Sequence, residues 1–99
     1  MPKDSINVGG KKYYYEYGYH PDMDEAIAHL KSIKKGGFSP QETQDLFENA
    51  EREAMSSPTG KGNAFFQTRL QKNFSIEAER VPGIFSRGNV RFKIIPRKE

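Results

Sequence analysis

Ninety-nine residues, 34% of them hydrophobic and 29% charged, are enough for one compact domain and too few for two. The absence of cysteine excludes a disulfide scaffold, a thiolate nucleophile and any Cys-containing metal site. The net charge of +3 is unevenly spread, with six Lys against eight acids in residues 1–50 and ten Lys or Arg against five acids in residues 51–99.

Residues 1–10, MPKDSINVGG, are polar and end in two glycines, so they read as a flexible N-terminus ahead of a single α+β domain over 11–99. They contain no apolar run that could form a signal-peptide core, and no later segment is long and apolar enough to span a membrane. The location expected on these grounds is cytoplasmic.

Lys11 to Tyr19 alternates, with Tyr13, Tyr15, Tyr17 and Tyr19 on one parity and Lys12, Tyr14, Glu16 and Gly18 on the other. Period-two spacing rich in aromatics predicts a strand with one wholly tyrosyl face. Asp22 to Lys35 is the clearest helix, because Met23, Ala26, Ile27, Leu30 and Ile33 form one apolar stripe. Asp22 and Glu25 fit a capping box at its start, and Gly36-Gly37 ends it. Ser39-Pro40-Gln41-Glu42 opens a second helix with an N-cap and a proline at the first helical position, and Ser57-Pro58 closes it. Its outer face is acidic, with Glu42, Asp45, Glu48 and Glu51.

Thr59 to Asn63 reads as a flexible basic loop. Over residues 64–74, Phe66, Leu70 and Phe74 recur every four positions behind Asn63, which favours a short helix. Phe66, Thr68 and Leu70 would also alternate as a strand against Phe65, Gln67 and Arg69. Ser75 to Val81 alternates Ile76 and Ala78 with Glu77 and Glu79, and Pro82-Gly83 turns the chain. Ile84-Phe85 and Val90 to Ile95 flank the turn residues Ser86 to Asn89, a hairpin pattern. The expected fold is therefore α+β. Two or three helices pack on one face of a small antiparallel sheet built from the N-terminal strand and the C-terminal hairpin.

Several residue groups could carry function. His20-Pro21-Asp22-Met23-Asp24-Glu25 gathers an imidazole and three carboxylates, but acids in the first turn of a helix already complement its dipole, so no metal site is assigned. Ser57 to Gly62 lacks the first glycine and the final Ser/Thr of a phosphate loop, and it follows a helix rather than a strand. The basic C-terminal half places Lys61, Arg69, Lys72, Arg87, Arg91, Lys93 and Arg97 among phenylalanines, a composition that suits contacts to nucleic-acid phosphates, RNA being favoured. With Arg91 and Lys93 outward on the last strand, those contacts should be mainly to phosphate.

The tyrosyl face (Tyr13, Tyr15, Tyr17, Tyr19) supplies a second reading, a protein-interaction module or a small regulator or inhibitor acting through it, and the basic half would suit an acidic protein partner. A third is a metal-independent ribonuclease. His20, Glu77 and Arg87 supply base, acid and cation types, in an order of elements similar to that of small toxin-like ribonucleases but without a matching motif. No cofactor is implied, and the oligomeric state has no sequence signature.

Overall fold

The computed structural model describes residues 2–31, 40–81 and 90–97. Seven elements follow in order: β1 (Lys3–Val8), β2 (Lys11–Tyr17), α1 (Met23–Lys31), α2 (Pro40–Ser56), β3 (Lys61–Gln67), β4 (Asn73–Arg80) and β5 (Val90–Pro96). The strands form one sheet in the order β1-β2-β5-β4-β3. The end of the first helix stripe (Ile33), its glycine stop, the Ser39 cap, and the Pro82-Gly83 turn with the hairpin tip lie outside the described residues.

The N-terminal segment corrects one expectation. Residues 3–8 are not a loose leader but an edge strand paired in register with β2, from Lys3 opposite Glu16 to Val8 opposite Lys11. Gly9 and Gly10, which suggested a flexible end, instead make the two-residue turn, with φ of 60° and 81°. Positive φ at both turn positions matches the twist of a tight hairpin, and glycine reaches it without strain. Ile6 and Val8 thereby reach the core.

Residues 64–74 are the second correction. Ala64 to Gln67 continue β3, and Asn73 begins β4, with Phe66 opposite Phe74. The four-residue recurrence of Phe66, Leu70 and Phe74 arises because two strand positions face each other across a turn, and Leu70 sits in that turn, 70% exposed. Thr68 closes the turn: its N–H donates to the Lys72 carbonyl at 2.9 Å, and its hydroxyl accepts the Lys72 N–H at 3.2 Å.

The sheet is mixed rather than antiparallel. β3, β4 and β5 form an antiparallel meander and β1–β2 a hairpin, but β2 joins β5 in parallel, Tyr15 beside Phe92 and Tyr17 beside Ile94. Both helices fall between β2 and β3 in the chain, so they bring β3 back in the direction of β2. After two antiparallel reversals β5 runs that way too.

α2 packs across β3 and β4. Tyr13 stacks on Phe47 with ring centroids 4.8 Å apart, and Phe47 meets Phe92 edge-on at 5.2 Å. Phe66 and Phe74 stack at 5.6 Å, and His29 of α1 lies over Phe66 at 6.0 Å. Ala50 and Ala54 are small because α2 passes directly over Gly62 there, leaving no space for a side chain at that position. The expected two layers, helices over one sheet, are present, with two helices among the described residues. No described helix is long and apolar enough to cross a membrane.

Candidate functional site: the open face of the sheet

The described helices lie on one side of the sheet, and strand parity decides which side chains the other face carries. The register places Lys3, Glu16, Lys93, Glu77 and Asn63 side by side across all five strands. The neighbouring row runs Arg91, Glu79 and Lys61, with Tyr14 next to Arg91 because Tyr15 pairs with Phe92. A third row holds Ile95, Ser75 and Phe65.

Arg91 and Lys93 point outward, as their parity predicts, and Glu79 and Glu77 stand opposite them on β4. Six cations (Lys3, Lys12, Lys61, Arg91, Lys93, Arg97) meet three carboxylates (Glu16, Glu77, Glu79) on this face, a local excess of three positive charges. Among the described residues the ion pair that closes here is Lys3 with Glu16, at 3.7 Å. The rest of the face is a shallow dish lined by Glu16, Lys61, Asn63, Glu77, Glu79, Arg91 and Lys93.

Two aromatic rings also lie on it. Tyr14 is 69% exposed and Phe65 55% exposed. The Lys12 ammonium sits 5.8 Å from the Tyr14 ring centre, and the Arg97 guanidinium 3.6 Å from that of Phe65. From strand spacing the two rings stand roughly 14 Å apart across the sheet and about 13 Å apart along it. Sequence reasoning set Tyr14 on the parity opposite the other tyrosines but did not join it to the basic residues of the C-terminal half. Phe65 was hidden by the helical reading of 64–74.

Of the residues expected to contact phosphate, Lys61, Arg91, Lys93 and Arg97 share this face. Arg69 and Lys72 lie in the β3–β4 turn. Lys72 is drawn toward α1, with its ammonium 3.9 Å from Asp22. Arg87 lies outside the described residues. The expected basic loop over 59–63 is a closed turn leading straight into β3: the Thr59 N–H donates to the Ser57 hydroxyl and the Gly60 N–H to the Ser57 carbonyl.

The tyrosyl face turns inward. Tyr13 and Tyr15 are 2% and 1% exposed, Tyr17 is half-buried, and Tyr19 lies beyond the strand. A small core needs the rings' area more than it is harmed by their hydroxyls. Burial pushes both phenols up in pKa, and the Tyr15 hydroxyl has no hydrogen-bond partner among the described residues. As a protein-binding surface this parity is therefore unavailable at Tyr13 and Tyr15.

The ribonuclease constellation does not assemble. His20 is exposed on the helix side, its ring edge-on to Phe74 at 6.4 Å and its Nδ1 accepting the Asp22 N–H at 3.1 Å. Glu77 is on the opposite face of the sheet. Asp22 and Glu25 do not close the expected capping box. Asp22 faces Lys72, and Glu25 accepts the Leu70 N–H at 3.4 Å, so both tie α1 to the β3–β4 turn. No family model, curated protein or solved structure matches the chain.

Proposed function

We propose that this protein is a small binding module that lays a single-stranded nucleic acid, RNA in preference, across the open face of its sheet. One observation carries the reading: two exposed rings, Tyr14 and Phe65, on a face that no described helix covers and that also holds Lys61, Arg91, Lys93 and Arg97. Arginine and lysine pair with phosphate oxygens, and aromatic rings stack on unpaired bases whatever their identity. The separation of the rings suits a strand crossing the sheet obliquely, with phosphates over the cations between them. The carboxylates Glu16, Glu77 and Glu79 keep the face from accumulating charge, so the electrostatic share of binding is modest. For an excess of three charges, the logarithm of the binding constant should fall with the logarithm of salt at a slope of about −2.

The test is a salt series of binding to a labelled single-stranded RNA, with a DNA of the same sequence alongside. Arg91→Ala with Lys93→Ala should lower the magnitude of the salt slope by about 1.4 and weaken binding to all sequences. Tyr14→Ala should lose about 1–3 kcal/mol without changing the slope. Glu77→Gln with Glu79→Gln should tighten binding. The absence of binding at 50 mM salt, or binding indifferent to the Arg91 and Lys93 changes, would remove this reading and leave a protein ligand for the face.

A further inference from the structure

The sheet has two free edges, and the chain treats them differently. In an antiparallel pair, alternate residues direct both N–H and C=O toward the partner strand, and the others direct them away. On β1 the Tyr17 N–H bonds the Pro2 carbonyl at 3.1 Å, so Asp4, Ile6 and Val8 face β2 while Lys3, Ser5 and Asn7 present their backbone groups outward. The central outward donor is already taken, since the Ser5 N–H bonds Asp4 Oδ1 at 2.7 Å. The other carboxylate oxygen of Asp4 is held by the Lys31 ammonium of α1. Those two contacts hold the Asp4 carboxyl below its ordinary pKa. An incoming strand would have to displace this ion-paired carboxylate to reach Ser5.

Among the described residues β3 has no such guard. The Arg80 N–H bonds the Gly60 carbonyl at 2.7 Å and the Thr68 N–H bonds the Lys72 carbonyl, so Gly62, Ala64 and Phe66 pair with β4. Lys61, Asn63, Phe65 and Gln67 therefore turn N–H and C=O away from the sheet. No hydrogen bond engages these outward groups among the described residues. The strand is seven residues long, its register with β4 is unbroken, and it holds one charge and no proline. A long unguarded edge of this kind is a template for another strand.

The surroundings of the edge select the occupant. A groove runs between β3 and α2, lined by Phe65, Phe66 and Gln67 on the sheet side and by Glu42, Asp45, Leu46 and Asn49 on the helix side. An added strand would direct alternate side chains at Leu46 and the carboxylates of Glu42 and Asp45, and the others toward Phe65. Lysine or arginine suits the helix side, with an aliphatic stem along Leu46 and a charged head at the acids. A second copy of the chain fits less well. Antiparallel self-pairing about Ala64 would set the acidic wall of one α2 beside that of its partner, and like charges side by side are unfavourable. Nucleic acid is repelled by the same wall.

We infer that the free edge of β3 captures an extended basic segment of a partner protein as a sixth strand, at a site that borders the open face at Phe65 and lies away from Tyr14, Arg91 and Lys93.

The probe is a synthetic hexapeptide alternating lysine and valine, titrated into the isotope-labelled protein and followed by amide shifts. A glutamate–valine peptide and a lysine–valine peptide N-methylated at alternate residues serve as comparisons. The lysine peptide should saturate and move the amides of Lys61, Asn63, Phe65 and Gln67. N-methylation of the pairing edge should weaken it at least tenfold. Asn63→Pro, which removes an outward N–H and leaves the β3–β4 ladder intact, should do the same while the thermal midpoint shows the protein folded. Glu42→Lys with Asp45→Lys should shift the preference to the glutamate peptide. The inference is overturned if the N-methylated peptide binds as well as the parent, if the shifts fall on Tyr14, Arg91 and Lys93 rather than on β3, or if millimolar peptide does not bind. It is equally overturned if the protein alone forms a dimer that Asn63→Pro abolishes. Should Asn63→Pro fail to fold, the N-methylated peptide on the native chain still decides the matter.

Discussion

Replacing Gly62 with alanine adds a single methyl group where α2 crosses β3. An ideal Cβ there would lie 2.7 Å from the Ala54 backbone nitrogen and 2.8 Å from Glu53 Cβ, and closest of all to the Ala50 carbonyl oxygen. Ordinary contact begins at 3.4 Å, and two of these three atoms are helix backbone, which cannot swing aside as a long side chain could. The helix must therefore retreat by about 0.7 Å or more, a gap that forfeits roughly a quarter to a half of the dispersion well for each contact it opens. Phe47, Ala50 and Ala54 on α2 all lie at that boundary and are fully buried. Overpacking of this kind costs about 1–3 kcal/mol, and the smaller backbone entropy of alanine returns about 0.5–1 kcal/mol. We expect a net loss of about 1 kcal/mol, which in a domain this size lowers the thermal midpoint by about 4–8 °C. Gly18→Ala is the control, since nothing lies within 4 Å of the added carbon and its φ is not positive. Thermal and urea unfolding of both variants measure the difference, with an unchanged denaturant slope marking a loss of native-state stability. A Gly62→Ala midpoint within 2 °C of the Gly18→Ala value would refute the reasoning that backbone proximity explains this glycine.

Two further outcomes follow from buried polar groups. Tyr15→Phe should leave stability unchanged or raise it by about 1 kcal/mol in urea unfolding, because the hydroxyl removed is buried without a hydrogen-bond partner among the described residues. A clear loss would point to a bound water. His29 is buried against Phe66, and burial lowers its pKa from 6.5 although Glu25 and Glu42 pull the other way. The unfolded chain then binds more protons than the folded one below pH 6.5, so the stability attached to neutral His29 is complete above that pH and falls away as the pH drops toward its folded pKa. Urea midpoints from pH 7.5 to 5 should decline, and His29→Gln should flatten that decline. Asp4 contributes in the same direction in a separate, more acid window, because its folded pKa is lowered from 3.8 by Lys31 and the Ser5 N–H.

The local rules of sequence reading sufficed for a good part of this fold. Strand β2 was legible from the alternation of its tyrosines, and the start of α2 from Pro40 followed by Glu42. Parity set Glu77 with Glu79 and Arg91 with Lys93 each on one strand face, and the register of β4 with β5 stands them opposite one another. Alternation is imposed by backbone geometry within a few residues, so it survives in the sequence whatever the strand later pairs with. Polarity and two glycines concealed β1, because an edge strand needs few apolar residues and its hairpin needs glycine. Period four and period two agree at Phe66, Leu70 and Phe74, and only pairing across the turn separates them.

The candidate site depended still more on tertiary structure. Composition located the cations in the C-terminal half, and parity aimed Arg91 and Lys93 outward. That the tyrosyl parity would be the buried one was decided by which face α2 covers, through the stacking of Phe47 on Tyr13. This in turn exposed Tyr14 and turned Phe65 to the same open face. The parallel joint of β2 and β5, and with it the rows that bring Glu16 beside Lys93, arises between segments more than seventy residues apart. No local pattern encodes such a neighbour. The two helices that separate the strands in sequence bring them together in space, and the burial of one shared aromatic core selects that arrangement.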